Sequence, residues 1–347
     1  MTTREKDIYV NVSYHLIYDE KYRRLEGINS TPEYKEYRRK WVENPKNLIL
    51  ENAPIHIDIE PTNICNLKCP MCKRTIMYED NSFTTGMGFM DFDLYKEIID
   101  DASKAGVCSV KLIGDGEDLL HKSIVDMITY AKGRGIIDVM MVTNATLLSE
   151  KIANDIINSG LDKIAFSFDS VDEQIYESIR VGAKFKQTLE NIKRFCMLRD
   201  KSGKTKPITR IAVTIMENNK NEIDKFIKIF GDYVDAISCL DYVENRKDQV
   251  DYSVLESDML KNYICPQPWQ RLIISWDGKY GACCRDNHYV TNLGNAKDLS
   301  IKEVWHGSKM NAFRKMHLNG KAKQYEMCRD CQAGLFMAKN NIADGSI

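Results

Sequence analysis

The segment IHIDIEPTNICNLKCPMC, residues 55–72, joins a short apolar run to three closely spaced cysteines. Apolar residues at every second position predict a β-strand over residues 55–62. Cys65, Cys69 and Cys72 then lie together on the loop that follows this strand. Three thiolates on one short loop can hold three irons of a cubane iron–sulfur cluster, which leaves the fourth iron open to a small chelating molecule. A zinc site is the alternative, although zinc normally takes four closed ligands.

Strand and helix patterns alternate after this segment. Further strands are predicted over residues 109–114, 138–144, 163–169, 208–216 and 236–243. Helical patterns fill the intervals, and the longest of them, over residues 172–199, is interrupted near Gly182. Repeated βα units with short loops predict an α/β fold with a parallel sheet, either open or curled into a partial (β/α)6 barrel of the TIM type. In such folds the chemistry lies at the C-terminal ends of the strands.

This predicted core spans residues 51–243, and an N-terminal segment precedes it. Residues 1–50 are polar, aromatic and rich in both charge signs. They predict a helical extension packed on the core, with one helix that stops before Pro45. The aromatic residues of this extension are expected to serve packing, with a partner or substrate surface as the alternative.

The C-terminal domain, residues 244–347, is predicted to begin with a polar linker and to contain a hairpin and a helix. Residues 272–284 predict the hairpin, with its turn at Asp277-Gly278, and residues 300–320 predict the helix. This small β-hairpin/helix domain also holds a second group of cysteines.

The chain has eleven cysteines, an odd number, and no secretion signal is visible, so metal binding is favoured over disulfides. Neighbouring side chains on a strand point to opposite faces, so only one of Cys283 and Cys284 is expected to be a ligand, and we predict Cys283. A zinc ribbon is the alternative to an iron–sulfur cluster here. The second group has enough thiolates for either centre: Cys265, Cys283, Cys284, Cys328 and Cys331.

Three further segments, each at or after the end of a predicted strand, accompany the first cysteine group. They are LIGDGEDLLH at residues 112–121, MVTNATLL at 141–148 and AFSFDSVDEQIYESIRVGAKFKQTLENI at 165–192. Together with Cys65-x3-Cys69-x2-Cys72, and in this order, they resemble the signature segments of the radical S-adenosylmethionine (radical SAM) superfamily over about residues 55–200. Two positions depart from the usual pattern, because Asp118 and Lys122 stand where the family often has proline.

The resemblance implies roles for these residues. The three cysteines of the first group would ligate a 4Fe–4S cluster, whose open iron would be chelated by S-adenosylmethionine. Glu117 would accept a hydrogen bond from the cofactor's amino group, and the backbone at Gly114 and Gly116 would allow its close approach. The candidates for holding the ribose and carboxylate are Asn144, Ser167, Asp169 and Arg180. Local hydrogen bonding at a strand end is the alternative reading of Ser167 and Asp169.

The C-terminal cysteine spacing resembles the auxiliary-cluster region of the same superfamily, the SPASM domain, in its shortened "twitch" form. The frame is similar to that of aminocyclitol-oxidising members. The resemblance implies one auxiliary 4Fe–4S cluster, held by Cys265, Cys283, Cys328 and Cys331.

A reaction is harder to predict than the cofactors. The leading hypothesis is dehydrogenation of a carbinol carbon in a sugar- or cyclitol-like molecule, with the auxiliary cluster as electron acceptor and Asp241 and Arg285 facing the substrate. The alternatives are epimerisation, with Cys284 or Cys239 returning a hydrogen atom, and peptide or protein maturation. For both thiols, buried apolar packing is the favoured alternative. A non-catalytic electron carrier is disfavoured, because a carrier needs no cofactor pocket.

Composition indicates the kind of partner. The formal net charge of -1 provides no field that favours nucleic acid or an anionic membrane. No apolar stretch is long enough to span a bilayer, so a cytoplasmic location is expected. The expected partners are a small polyhydroxylated substrate and, by analogy, a flavodoxin or ferredoxin reductant.

Overall fold

The computed structural model describes residues 10–11, 14–18, 20–81, 86–241, 264–286, 289–329 and 331. Its first elements are two antiparallel strands and two helices. They are β1 (Val10–Asn11), β2 (Tyr14–Tyr18), α1 (Glu20–Asn29) and α2 (Pro32–Lys46). The N-terminal extension therefore contributes strands as well as the predicted helices.

Helix α2 continues through Pro45, so the prediction that it stops before this residue is wrong. Proline has no N–H for the carbonyl four residues earlier, which is that of Trp41. The side-chain amide of Gln270 donates to this carbonyl instead, at 2.8 Å. The carbonyl is thereby satisfied from outside the helix, and the last turn persists.

Six parallel strands in chain order form the centre of the sheet, as predicted. They are β3 (His56–Ile59), β4 (Ser109–Leu112), β5 (Asp138–Thr143), β6 (Lys163–Ser167), β7 (Ile208–Ile215) and β8 (Ala236–Asp241). The strand order β1-β2-β8-β7-β6-β5-β4-β3 leaves the sheet open, so it is a partial TIM-like barrel.

Helices cover the outer face of this sheet. They are α3 (Lys73–Glu79), α4 (Phe92–Ala105), α5 (Ile124–Gly133), α6 (Glu150–Asn158), α7 (Glu173–Ile179), α8 (Phe185–Lys201) and α9 (Ile223–Phe230). The predicted interruption near Gly182 is confirmed by the gap between α7 and α8, where Gly182 has a φ of +102°. Apolar residues such as Ile57 and Ile59 pack beneath these helices in the main core.

The C-terminal residues extend the same sheet. Strand β9 (Arg271–Ile274) pairs parallel with β3, and β10 (Tyr280–Gly281) pairs antiparallel with β9. The predicted hairpin is thereby confirmed. The predicted helix over 300–320 is two helices, α10 (Ile301–His306) and α11 (Ser308–Leu318), because Gly307 between them is extended, with ψ 157°. A short helix, α12 (Glu326–Arg329), follows. The predicted linker from residue 244 lies outside the described residues, and the domain boundaries remain a prediction.

The inner face of the partial barrel is polar at its N-terminal end, where α2 covers it. Lys163 donates to Asp138 at 2.9 Å and to the Tyr34 hydroxyl at 2.6 Å. The Trp41 ring meets the His56 ring edge-on at 5.7 Å between centroids. These aromatic residues of the extension therefore serve packing. Within the part of the chain that the structure describes, no helix has the length and apolar character needed to cross a membrane.

Candidate active site

The loop that carries the first cysteine group lies between β3 and α3, at the C-terminal end of the sheet. Cys69 is buried, and Cys65 and Cys72 are half-buried. The backbone N–H of Lys68 donates to the carbonyl of Val181 at 2.9 Å, which fixes the loop against the connection between α7 and α8. The loop therefore has a defined position relative to two elements that are distant in sequence.

The three cysteines line one cleft together with most of the residues predicted to bind the cofactor. The residues that line the cleft include Cys65, Cys69, Cys72, Gly114, Gly116, Glu117, Asn144, Ser167 and Arg180. Asp169 lies just behind this wall, because its carboxylate holds Arg180. Three thiols beside an open cleft fit a cluster that keeps one iron free for a ligand.

The two glycines are required by packing against β3 and its loop. A Cβ at Gly114 would lie 2.3 Å from Cγ of Glu60, and a Cβ at Gly116 would lie 2.2 Å from the carbonyl oxygen of Thr62. Real Cβ contacts are longer than 3.0 Å. Glycine at both positions thus lets the second strand's loop approach the cysteine loop.

Glu117 is a buried carboxylate that joins two strand ends. It accepts hydrogen bonds from the Thr143 hydroxyl at 2.5 Å, the Asn144 N–H at 2.7 Å and the Leu119 N–H at 3.2 Å. Burial raises the pKa of Glu117, and these three hydrogen bonds oppose the rise. The three donors favour the ionised, accepting form of the carboxylate, whereas burial favours its protonated form and has the larger effect.

Asn144 and Asp169 both take part in local hydrogen bonding. The Asn144 side chain donates to Asn66 Oδ1 at 3.0 Å and accepts from Thr146. Asp169 accepts from Arg180 Nε at 2.5 Å and from the Thr214 N–H at 2.8 Å. The strand-end alternative considered for Asp169 therefore describes its contacts in this structure.

Arg180 lies in the cleft wall near the cysteine loop. Burial raises the pKa of the Cys69 thiol to about 11, although the nearby Arg180 guanidinium opposes this rise. A cation at this position favours the thiolate form that ligates iron.

Acidic residues at the cleft form a group whose buried member Glu60 the sequence prediction missed. The buried carboxylate of Glu60 accepts from the Asp115 N–H at 2.8 Å and from the Trp276 N–H at 3.3 Å. Asp115 in turn accepts from Lys73 Nζ at 3.0 Å. Asp118 is buried, with 1% of its surface exposed. The signal for Glu60 was the run His56-Asp58-Glu60, with a polar residue at every second position of an apolar strand.

The C-terminal cysteines influence one another. Burial raises the pKa of Cys283 well above its ordinary value, and the thiols of Cys284, Cys328 and Cys265 raise it further. Burial likewise raises the pKa of Cys328 to about 12, with Cys331 adding to the rise. These cysteines therefore lie close enough to act on one another, and four thiolates are the donor set of a 4Fe–4S cluster. Cys283 is buried and Cys284 is exposed.

The residues predicted to face the substrate are scattered. Cys239 is buried in the main hydrophobic core, on the same face of the sheet as its register partner Val213, so the structure does not bring it to the cleft. Asp241 is the last residue of β8, and its side chain lies outside the described part of the chain. The Arg285 N–H contacts Cys283 Sγ at 3.4 Å, which places Arg285 and Cys284 beside the second cysteine group.

Comparison with known families identifies the class of this site. Residues 59–229 match the radical SAM superfamily, and residues 265–332 match the SPASM iron–sulfur cluster-binding domain. The chain therefore belongs to the radical SAM superfamily. Within it, the chain is a radical SAM enzyme with a C-terminal SPASM domain, whose cofactors are S-adenosylmethionine and two 4Fe–4S clusters.

Two curated relatives illustrate the range of this family. The chain is 25% identical over 321 residues to the tungsten-containing aldehyde ferredoxin oxidoreductase cofactor-modifying protein of Pyrococcus furiosus, covering 80% of this chain and 86% of that protein. It is 31% identical over 130 residues to a probable GTP 3′,8-cyclase of Methanococcus maripaludis. That match covers 38% of this chain and only 41% of the cyclase.

Solved structures share the fold. BtrN in complex with AdoMet and 2-DOIA has a TM-score of 0.54 at 18% identity, covering 82% of this chain and 94% of BtrN. Streptococcus suis SuiB bound to S-adenosylmethionine has a TM-score of 0.62 at 17% identity, covering 80% of this chain and 72% of SuiB. At these identities the likeness establishes the fold alone.

Proposed function

We propose that this enzyme oxidises a carbinol carbon of a small polyhydroxylated molecule to a ketone. When bound, the cofactors supply a 5′-deoxyadenosyl radical that removes the carbinol hydrogen atom and an auxiliary cluster that takes up one electron. The substrate then has to lose its hydroxyl proton as well. The observation that carries the proposal is a buried carboxyl group of suitable pKa, Glu60, beside the cofactor cleft.

Glu60 meets the requirements for the proton acceptor. Burial raises its pKa to about 7, with the Asp115 carboxylate adding to the rise. A base is most effective when its pKa lies near the working pH. Two backbone N–H groups fix the carboxyl group, and it lies against Gly114 of the cleft wall. The proton would pass from the substrate hydroxyl to a Glu60 carboxylate oxygen.

Several buried polar atoms around the same cleft support a hydroxyl-rich substrate. Both carboxyl oxygens of Asp118, the Thr75 hydroxyl and the Trp276 indole N–H have no hydrogen-bond partner among the described residues. A buried polar atom without a partner is costly, so each is an expected contact point for a bound molecule. Asp115 is paired with Lys73, and burial raises the pKa of Asp118 well above its ordinary value, so the site suits a neutral hydroxyl-rich substrate.

A second candidate is modification of a cofactor. The observation in its favour is the match with the Pyrococcus furiosus cofactor-modifying protein, which covers most of both chains. Epimerisation stays open through Cys284, which is exposed. Peptide maturation is the activity class suggested by SuiB, which has been solved bound to a precursor peptide. The reductant in every case is expected to be a flavodoxin or ferredoxin.

The test is an anaerobic incubation of the reconstituted enzyme in deuterated water with S-adenosylmethionine, a reductant and a pool of sugars, aminocyclitols and the cofactor of a tungsten-containing aldehyde ferredoxin oxidoreductase. A sugar or cyclitol lighter by two hydrogens supports the proposal. An isomer that gains one deuterium on carbon indicates epimerisation, and a change in the added cofactor indicates the second candidate. The matched variants are Glu60→Gln and, as control, Glu190→Gln on the exposed face of α8. Oxidation that is equally fast in both variants would remove Glu60 from the mechanism.

A further inference from the structure

Arg271, the first residue of β9, lies on the inner face of the partial barrel beside β3. It is in register with His56, and its Nη1 donates to Asp58 Oδ2 at 2.9 Å. Its guanidinium also lies over the Trp41 ring, 5.1 Å from the centroid. The side chain is only 15% exposed, and its Nε has no hydrogen-bond partner among the described residues. One donor of a buried cation is therefore still available.

Arg271 lies near the second cysteine group. In the hairpin, Tyr280 pairs with Ile274 and Gly281 pairs with Ile273. Strand β10 ends at Gly281, and Cys283 follows two residues later, just as Arg271 precedes Ile273 by two residues. The hairpin thus brings Cys283 to the end of β9 at which Arg271 lies, and the thiols of Cys284 and Cys283 act on the charge of the guanidinium.

The charges agree with this placement. Burial works against the charge of Arg271, but Asp58 and then the thiols of Cys284 and Cys283 raise its pKa above the ordinary value. Burial would also raise the pKa of Asp58, but Arg271 and His56 outweigh it and lower this pKa. Arg271 and Asp58 are therefore a fixed ion pair with its cationic end toward the cysteines.

The remaining contacts hold Asp58 rigidly. His56 Nε2 lies 3.0 Å from Asp58 Oδ1, and His56 Nδ1 lies 2.9 Å from the Ser109 hydroxyl. All of these groups lie on the first two parallel strands of the barrel, β3 and β4. The barrel core therefore sets the position of the guanidinium.

We propose that Arg271 is a positioning residue that raises the reduction potential of the auxiliary cluster, with Asp58 as its counter-charge. Reduction adds one negative charge to a cluster, so a nearby cation stabilises the reduced form. Hydrogen bonds to cluster sulfurs are a known determinant of the potential. A higher potential makes the auxiliary cluster a better acceptor for an electron from the substrate radical.

The test measures the two clusters separately, by redox titration followed with electron paramagnetic resonance on the reconstituted enzyme. In Arg271→Met the reduction potential of the auxiliary cluster is expected to fall. The ratio of reduced to oxidised cluster at a fixed potential should change at least tenfold, which corresponds to 59 mV for a one-electron couple. In Asp58→Asn the neutralising charge is lost, so the potential is expected to rise. Arg271→Lys keeps the charge and should shift the potential less than Arg271→Met.

The first cluster in the same molecule is the internal control and should keep its potential in all three variants. A role limited to folding would lower cluster content in Arg271→Met and Asp58→Asn without moving the potential in opposite directions. Should Arg271→Met fail to fold, Asp58→Asn and Arg271→Lys carry the test. Unchanged potentials in both, or a fall in Asp58→Asn, overturn the proposal.

Discussion

Gly116→Ala should displace the loop that carries the first cysteine group. The added Cβ would lie 2.2 Å from the Thr62 carbonyl oxygen and 2.6 Å from the Ile64 carbonyl oxygen. Both are backbone atoms, so no side-chain rotation can relieve the contact. The backbone has to move by at least 0.8 Å to reach the 3.0 Å that real Cβ contacts exceed. Residue 64 immediately precedes Cys65, so this movement reaches the first thiol.

The expected cost is about 1–3 kcal/mol of unfolding free energy, the usual range for overpacking a well-packed site. The hydrogen bond from the Glu117 N–H to the Ile64 carbonyl, 2.9 Å in this structure, is expected to lengthen. Two measurements check the prediction: the urea midpoint of the iron-free protein, and the iron content per chain after reconstitution. Both should fall, and 5′-deoxyadenosine formation should fall with the iron content.

Gly133→Ala is the matched control. Gly133 ends helix α5, and a Cβ there would have no atom within 4 Å. Alanine in a helix is more stable than glycine by about 0.5–1 kcal/mol, so this variant should be neutral or slightly stabilised. The reasoning is refuted if Gly116→Ala keeps the midpoint and the iron content of the Gly133→Ala control.

Three further predictions concern the same region. The pKa of Glu60 is about 7 in the folded protein against an ordinary value of 4.5, so the folded state holds this proton more tightly. The free energy of unfolding should therefore decrease as the pH rises from about 4.5 to 7. Urea titrations should show a smaller decrease for Glu60→Gln. Arg180→Gln leaves the buried Asp169 carboxylate unpaired and should cost about 3–5 kcal/mol by urea denaturation, whereas Lys186→Gln, in an exposed pair, should cost less than about 1 kcal/mol. Replacing Cys328 with serine should reduce product formation more than 5′-deoxyadenosine formation in a coupled assay, and an equal loss of both would make the auxiliary cluster structural.

The order of the core strands and most of the residues that line the cleft could be predicted from the sequence. Alternating strand and helix patterns allow few topologies once connections are short, and the observed order from β3 to β8 follows the chain. The residues that meet at the cleft could also be predicted, because the C-terminal ends of parallel strands lie at one edge. Glu117, Asn144 and Ser167 each stand at or just after such an end.

What the sequence did not predict depends on contacts across long separations. The completion of the sheet by β9 rests on pairing between residues more than two hundred positions apart, as in the Ile59–Ile274 pair. The continuation of α2 through Pro45 depends on a hydrogen bond from Gln270. Cys239 was considered as a hydrogen donor because it was not needed for a cluster, but only the strand register shows that it faces the helices with Val213. The local pattern of apolar and polar residues contains no information about which distant strand or side chain a residue will contact.

The pairing of β9 with β3 gives the two cluster regions a common support. Strand β3 leads into the loop of the first cysteine group, and β9 leads through the hairpin to Cys283. At the C-terminal end of this pair, the Glu60 carboxyl group accepts from the Trp276 N–H, and at its N-terminal end Asp58 holds Arg271. Buried pairing of this kind is stiffer than a flexible linker, so the distance between the clusters is expected to be fixed by the sheet. Two neighbouring strands thus hold Glu60, the proposed proton acceptor, and Arg271 in one frame. The proposed oxidation needs such a frame, because the substrate radical has to lose both a proton and an electron.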